Sequence, residues 1–133
     1  MDYYYLNGEE RILNGNTFLV TETDIDGKLQ FANEDFIKIS GYELDELNGI
    51  PHSVVRHPDM PKSVFKNMWE VIKKGQVWSG FIKNKVKNSS EYYWVFATIY
   101  PITRNNNSCY ISCRKKATRD EIESACAEYK IFA

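Results

Sequence analysis

The chain has 133 residues, 17 basic against 18 acidic side chains and 43% apolar residues. That suffices for one domain with a real core, and the composition is that of an ordinary globule, neither disordered nor fibrous. The near-zero net charge gives no electrostatic reason to expect nucleic acid, no apolar run approaches membrane-spanning length, and no signal peptide is visible at the start. Cys109, Cys113 and Cys126 are odd in number and lack CxxC spacing. They read as reduced thiols of a cytosolic protein, not as a disulfide frame or zinc site.

Residues 1–16 form an N-terminal arm, polar apart from Tyr3-Tyr4-Tyr5-Leu6 and Ile12-Leu13, and the tyrosines suggest that it covers an apolar surface. Thr17 to Thr23 is rich in β-branched residues and reads as a strand; Asp26-Gly27 signals a hairpin returning through Leu29-Gln30-Phe31. Asn33 caps a short helix ended by Gly41, and a second runs from Glu43 to Leu47. Lys62 to Lys74 is the clearest helix, with Val64, Phe65, Met68, Trp69 and Ile72 at helical spacing. Pro61 is tolerated in its first turn, Asp59 can cap it and Gly75 closes it.

Phe81 to Lys87 alternates its lysines onto one face, leaving Ile82, Asn84 and Val86 on the other. An amide in the middle of an apolar face costs about 1–3 kcal/mol if it is left unpaired. Asn84 therefore meets either a neighbouring polar group or a ligand. Tyr92, Trp94, Phe96, Thr98 and Tyr100 share one face of the next strand, and Tyr93, Val95, Ala97 and Ile99 share the other. Both faces are apolar, so one closes the core and the aromatic one needs a lid: the arm, the last helix or another protein. Ser108 to Lys115 is the last strand, and Thr118-Arg119-Asp120-Glu121 opens a final helix as a capping box. A hairpin, a helical crossover and a three-stranded meander make an α+β plan, one antiparallel sheet with helices on one side.

Between the helices lies Pro51-His52-Ser53-Val54-Val55-Arg56-His57-Pro58-Asp59-Met60-Pro61, which holds both histidines of the chain. Its prolines stiffen a loop that carries a cation, titratable donors and an acceptor, so it either connects elements or grips an anionic or hydrogen-bonding ligand.

The element order, with Gly41-Tyr42 before Glu46-Leu47 and Gly49, resembles a PAS domain. Arg56-His57-Pro58-Asp59-Met60-Pro61, followed by Phe65, Met68-Trp69, Lys73-Lys74-Gly75, Trp78-Ser79-Gly80 and Lys83-Asn84, is similar to the PAS sensor of Aer-type aerotaxis (energy-taxis) receptors. Ala117-Thr118, Asp120-Glu121-Ile122 and Tyr129-Lys130 continue the match, which covers roughly residues 17–130. The resemblance implies a five-stranded antiparallel PAS sheet over 17–116, with 117–133 as a C-terminal helix or linker. It implies non-covalent FAD and a report on respiratory redox state. It implies a flavin site at Arg56, His57 and Asp59, with Asn33, Asn84, Phe65 and Trp78; His52 is a further candidate.

The residues are compatible with that. Arg56 and His57 can neutralise a phosphate-bearing tail, Trp78 offers a stacking face, and Asn84 can pair with an isoalloxazine edge. The family's membrane anchor, HAMP region and signalling domain have no counterpart in the sequence. The expectation is a piece of a methyl-accepting receptor or a stand-alone partner of one, cytoplasmic and held at the inner face of the membrane through that receptor. A homodimer or PAS–PAS contact through Tyr92, Trp94, Phe96 and Tyr100 is expected with it.

Four other readings stand beside this one. Haem needs an axial ligand, and only His52 or His57 could serve. A flavin–cysteine photoadduct lacks a cysteine in the loop region. A ligand-free interaction module would satisfy Asn84 internally. No nucleophile–base pair beyond Ser53 with His57 suggests an enzyme.

Overall fold

The computed structural model describes residues 10–133 in full and, before them, the backbone of the strand Tyr3–Leu6. The side chains of Tyr3, Tyr4 and Tyr5, expected to cover an apolar surface, lie outside the described residues. In chain order the elements are β1 (Tyr3–Leu6), β2 (Glu10–Leu13), β3 (Leu19–Asp24), β4 (Leu29–Ala32), α1 (Glu34–Ser40), α2 (Leu44–Leu47), a 3-10 turn (His52–Val55), α3 (Lys62–Lys73), β5 (Trp78–Lys85), β6 (Tyr92–Arg104), β7 (Asn107–Lys116) and α4 (Arg119–Tyr129).

The expected five strands pair antiparallel in the order β4-β3-β7-β6-β5. The arm extends this sheet: β2 joins the start of β6 by a parallel bridge, Glu10 opposite Tyr92, and β1 pairs antiparallel with β2. The sheet is thus seven-stranded and mixed. Two acceptor side chains set its first corner. The Asp24 carboxylate accepts from the Asp26 and Lys28 amides, and Gly27 takes the φ of +82° that the turn requires. The Asn33 side chain accepts from the Phe36 amide at 3.1 Å, capping α1, and from the Val20 amide at 3.1 Å, while its own amide donates to the Phe18 carbonyl.

Helices α1 to α3 and the 3-10 turn cover one face of the sheet, and the core lies between, around Leu29, Phe36, Ile39, Val55, Val95 and Ala97. The aromatic face has the lid it needed. Trp94 is buried beside Leu13 of the arm and Ile122 of α4. Arg119 donates to both carboxylate oxygens of the buried Glu10, Arg11 pairs with Glu91, and the Tyr129 hydroxyl donates to the Phe81 carbonyl at 2.8 Å. Farther along the same face Tyr100 stays exposed.

Two local expectations need correction. Asp59 does not cap α3: Pro61 is its N-cap residue, with no side-chain hydrogen bond, and the Asp59 carboxylate reaches Lys83 instead. Lys83 in turn is not a solvated lysine but only 3% exposed, because α4 lies across its face of β5.

Gly80 shows how tightly β5 is fitted. A Cβ there would stand 2.6 Å from the Trp78 ring, which folds back over it while its indole N–H donates to Asn67 at 3.2 Å. Strand entropy alone would make Gly80→Ala mildly stabilising. The overlap decides otherwise: a destabilisation of about 1–3 kcal/mol is expected, read from urea unfolding, with a shift in tryptophan emission as the indole leaves Asn67.

Candidate functional site

Between the concave face of the sheet and α3 lies a hollow with a free volume of about 60 Å³. Its apolar wall comes from Phe65, Met68, Trp69 and Ile72 on α3, and from Ile82 and Ile99 on the strands. Its floor is polar. Asn84 reaches it from β5, Tyr110, Ser112 and Arg114 from β7, Thr23 from β3, and His52 and Arg56 from the central loop. No carboxylate stands in this lining.

The floor is organised by Arg114, 2% exposed, on the innermost side of β7. Its guanidinium donates to Ser112 Oγ at 2.5 Å and to Thr21 Oγ1 at 2.6 Å, lies 5.1 Å from the Phe36 ring, and leaves Nε with no partner. Burial pushes its pKa down to about 10. Thr21 Oγ1 also meets His52 Nε2 at 3.0 Å. A guanidinium can only donate, so Thr21 accepts from it and its own proton is free for the imidazole. His52 is the acceptor, and it stays neutral: burial, then the nearby Arg114 charge, lowers its pKa to about 3. The Tyr93 hydroxyl is buried beside Asn84, and burial raises it to about 12. Among the side chains that line the hollow, Arg114 Nε is thus a buried donor without an acceptor.

The neutral His52 has a measurable consequence. In the unfolded chain it takes a proton as the pH falls through about 6.5, whereas folded it resists until about 3. The unfolded state binds more protons across that window, so stability falls with pH there, by up to about 1.4 kcal/mol per unit. Urea unfolding at pH 6.5 and pH 5 is expected to show a steeper loss for the wild type than for His52→Gln.

Of the eight candidates read from the sequence, Arg56, Phe65, Asn84 and His52 meet at the hollow. Arg56 stacks its guanidinium 3.9 Å over the Phe65 ring and is bridged backbone to backbone with Asn84. The other four stand elsewhere. His57 turns its ring toward Tyr92 and accepts from the Asp59 amide; burial, more than the neighbouring Lys83 charge, depresses its pKa. Asp59 pairs with Lys83 at 3.1 Å, Trp78 is held between Asn67 and Gly80, and every polar atom of the Asn33 side chain is spent on the β3–α1 corner. Arg114, Ser112, Tyr110 and Trp69 join the site without having been singled out as part of it.

A mixed sheet cupping a polar-floored hollow under short helices is an α+β fold of the PAS type. Residues 30–114 match the family model described as the PAS fold, and the chain belongs to that family. It is 43% identical over 95% of its length to the aerotaxis receptor of Escherichia coli, covering 25% of that protein. It is 32% identical over 61% of its length to the biofilm dispersion protein BdlA of Pseudomonas aeruginosa, covering 19% of it. The chain thus spans a quarter or less of these relatives. Among solved structures, the light-state blue-light photoreceptor Aureochrome1 LOV aligns at a TM-score of 0.72 and 19% identity, over 85% of this chain and 91% of that one, a likeness of fold alone. The chain is thus a PAS domain, the unit over which it matches these longer proteins. Among the described residues no helix is long and apolar enough to cross a membrane.

Proposed function

We propose that this domain binds a flavin, FAD, in the hollow and reports its redox state to a chemotaxis receptor. One observation carries the reading: a fully buried arginine with an unpartnered Nε on the floor of a cavity whose lining holds no carboxylate. Leaving such a donor unpaired is costly, and a ring whose edge offers carbonyl oxygens and ring nitrogens satisfies it. The aromatic, lightly polar wall from α3 fits a flat conjugated system. When bound, a flavin supplies reversible electron uptake, which the protein tunes and reads.

The chain's own residues would do the rest. Arg114, Tyr93 and Asn84 hold the acceptor edge, and neutral His52 supports Arg114 through Thr21. Met68 and Trp69 have to move outward, since the hollow has room for only a few molecules the size of water. Asn84 couples the ligand to the fold. Its strand is bridged to Arg56, and the adjacent Lys83 carbonyl accepts from the His57 amide. A changed hydrogen bond at Asn84 therefore moves the central loop and the Lys83–Asp59 pair under α4.

On this reading 17–116 is the sensor unit, 1–16 an arm and 117–133 the connection to a receptor in cis or in trans. The site would be cytoplasmic, at the inner membrane face through that receptor, and the exposed end of the outer face around Tyr100 would meet a second copy. Haem is the weaker choice, because His57 faces away from the hollow and His52 Nε2 is already engaged by Thr21. Absorbance scans of the protein incubated with FAD and desalted, oxidised and then dithionite-reduced, test the reading. Retained flavin bands that bleach on reduction are expected. No bands, together with a melting temperature indifferent to FAD, would leave a ligand-free interaction module.

A further inference from the structure

The arm and α4 meet over a second cavity. The ladder between β2 and β6 is a single bridge, Glu10 opposite Tyr92. Past it the two strands form no further pair, and a pocket with a free volume of about 140 Å³ opens between β2, Trp94 of β6 and the start of α4. No residue lines both this pocket and the hollow. Its wall is largely apolar: Leu13, Trp94, Ala117 and Ile122, each at most 4% exposed. One polar atom in that wall is unsatisfied. The Trp94 indole N–H is buried and finds no acceptor among the described residues. An indole nitrogen only donates, so what satisfies it is an acceptor, and leaving it without one is costly. The charges of the lining favour a negative one. Arg119 is matched by Glu10 and Arg11 by Glu91, whereas Lys116, exposed at the rim, has no carboxylate partner among the described residues.

An acceptor, a negative charge and a short apolar body are thus wanted in one ligand. A cavity of about 150 Å³ takes a benzene ring, so about six non-hydrogen atoms fit this one. We propose that the pocket is a binding site for a small monocarboxylate, whose oxygens accept from Trp94 Nε1 under the charge of Lys116 and whose carbon chain lies on Leu13, Ala117 and Ile122. The buried Glu10, already held by Arg119, repels a second acid group and so selects against dicarboxylates. The indole nitrogen is closed to solvent, so seating the carboxylate shifts the ring or the arm slightly. Because the wall comes from the arm, the sheet and α4, an occupant ties together three elements at the place where the Glu10–Arg119 pair joins the first to the last.

Sodium butyrate and butyramide, equal in size and unlike in charge, test the site without reference to the flavin reading. Each is titrated into the nitrogen-15-labelled full chain, and the indole N–H signals of its three tryptophans are followed by two-dimensional NMR. Contacts of the ring with the Leu13 and Ile122 methyl groups identify the Trp94 signal. Butyrate is expected to move that signal alone, downfield, saturating in the millimolar range that so small a ligand can reach. Butyramide is expected to bind at least about tenfold more weakly, a margin that shrinks with added salt. Lys116→Glu, at an exposed position that does not threaten the core, narrows the margin and leaves butyramide unchanged. Trp94→Phe keeps a ring in the wall but removes the donor, and it weakens butyrate as read from the Leu13 and Ala117 amides. A Trp94 signal indifferent to butyrate overturns the site and leaves an ordered water as the acceptor. Butyramide binding as tightly as butyrate, or all three indole signals drifting together without saturation, overturns it too. Should Trp94→Phe fail to fold, the wild-type titrations alone decide.

Discussion

Arg114→Met is expected to leave the ligand-free protein as stable as the wild type, or more so, and to abolish the stabilisation that FAD confers. The two halves have opposite physical origins. In the ligand-free protein the guanidinium is fully buried and, among the described residues, donates to the neutral hydroxyls of Ser112 and Thr21 and meets no carboxylate. An isolated buried charge costs several kcal/mol in desolvation, and replacing such groups by apolar ones of similar length is often neutral or stabilising by about 1–4 kcal/mol. Against this, Ser112 loses its partner, at about 1 kcal/mol.

The wild type carries the arginine for what it does to the ligand. With FAD at 100 times its dissociation constant, linkage adds about 2.7 kcal/mol to the wild type. The variant, without the donor on the floor, gains far less. Thermal melts of both proteins with and without FAD read the two effects at once. An Arg114→Met protein that unfolds more readily and yet is stabilised by FAD as much as the wild type would make the arginine a structural part and not a ligand group.

The sequence showed Asn84 because it interrupted an apolar face, and the same argument applied two strands later, on β7, would have found the rest. Tyr110, Ser112 and Arg114 alternate with Cys109, Ile111 and Cys113 along β7, so an arginine falls on the face that looks into the core. Asn33, by contrast, was legible as a helix cap, and in the structure its side chain is engaged in that local role. Trp78 could not have been placed from sequence. Whether its indole enters the hollow or folds back depends on the missing Cβ of Gly80 and on Asn67 of a different element. The arm, expected as a cover, is also part of the sheet, and the Glu10–Arg119 pair that fixes it joins residues more than a hundred positions apart. Local pattern gave the order of elements; the polar floor and the docking of the ends depend on register between distant strands.

Asp59→Asn is expected to be more damaging than Lys83→Met, although Asp59 is the more exposed partner. The asymmetry follows from what each change leaves behind. The Lys83 side chain is 4% exposed and the Asp59 side chain 46%. Without the carboxylate, the ammonium keeps only the Phe132 carbonyl at 3.5 Å and the face of the Tyr92 ring at 4.3 Å. Breaking a fully buried pair from one side costs about 3–5 kcal/mol, and half-exposure of the acid discounts this to about 2 kcal/mol. Lys83→Met removes the charge together with the need for a partner and frees Asp59 to water, so it is expected to cost less than about 1 kcal/mol. The double variant should then regain most of what Asp59→Asn loses, a coupling that a double-mutant cycle in urea measures directly.

The same pair links the central loop to the end of the chain, since Lys83 also holds the carbonyl of Phe132 and Tyr92 donates to that of Ala133. Loss of Asp59 is therefore expected to speed amide exchange in α4 and in residues 130–133 before it loosens the Arg114 floor. Equal acceleration across the whole domain would show a global loss of stability and no special tie between the loop and α4.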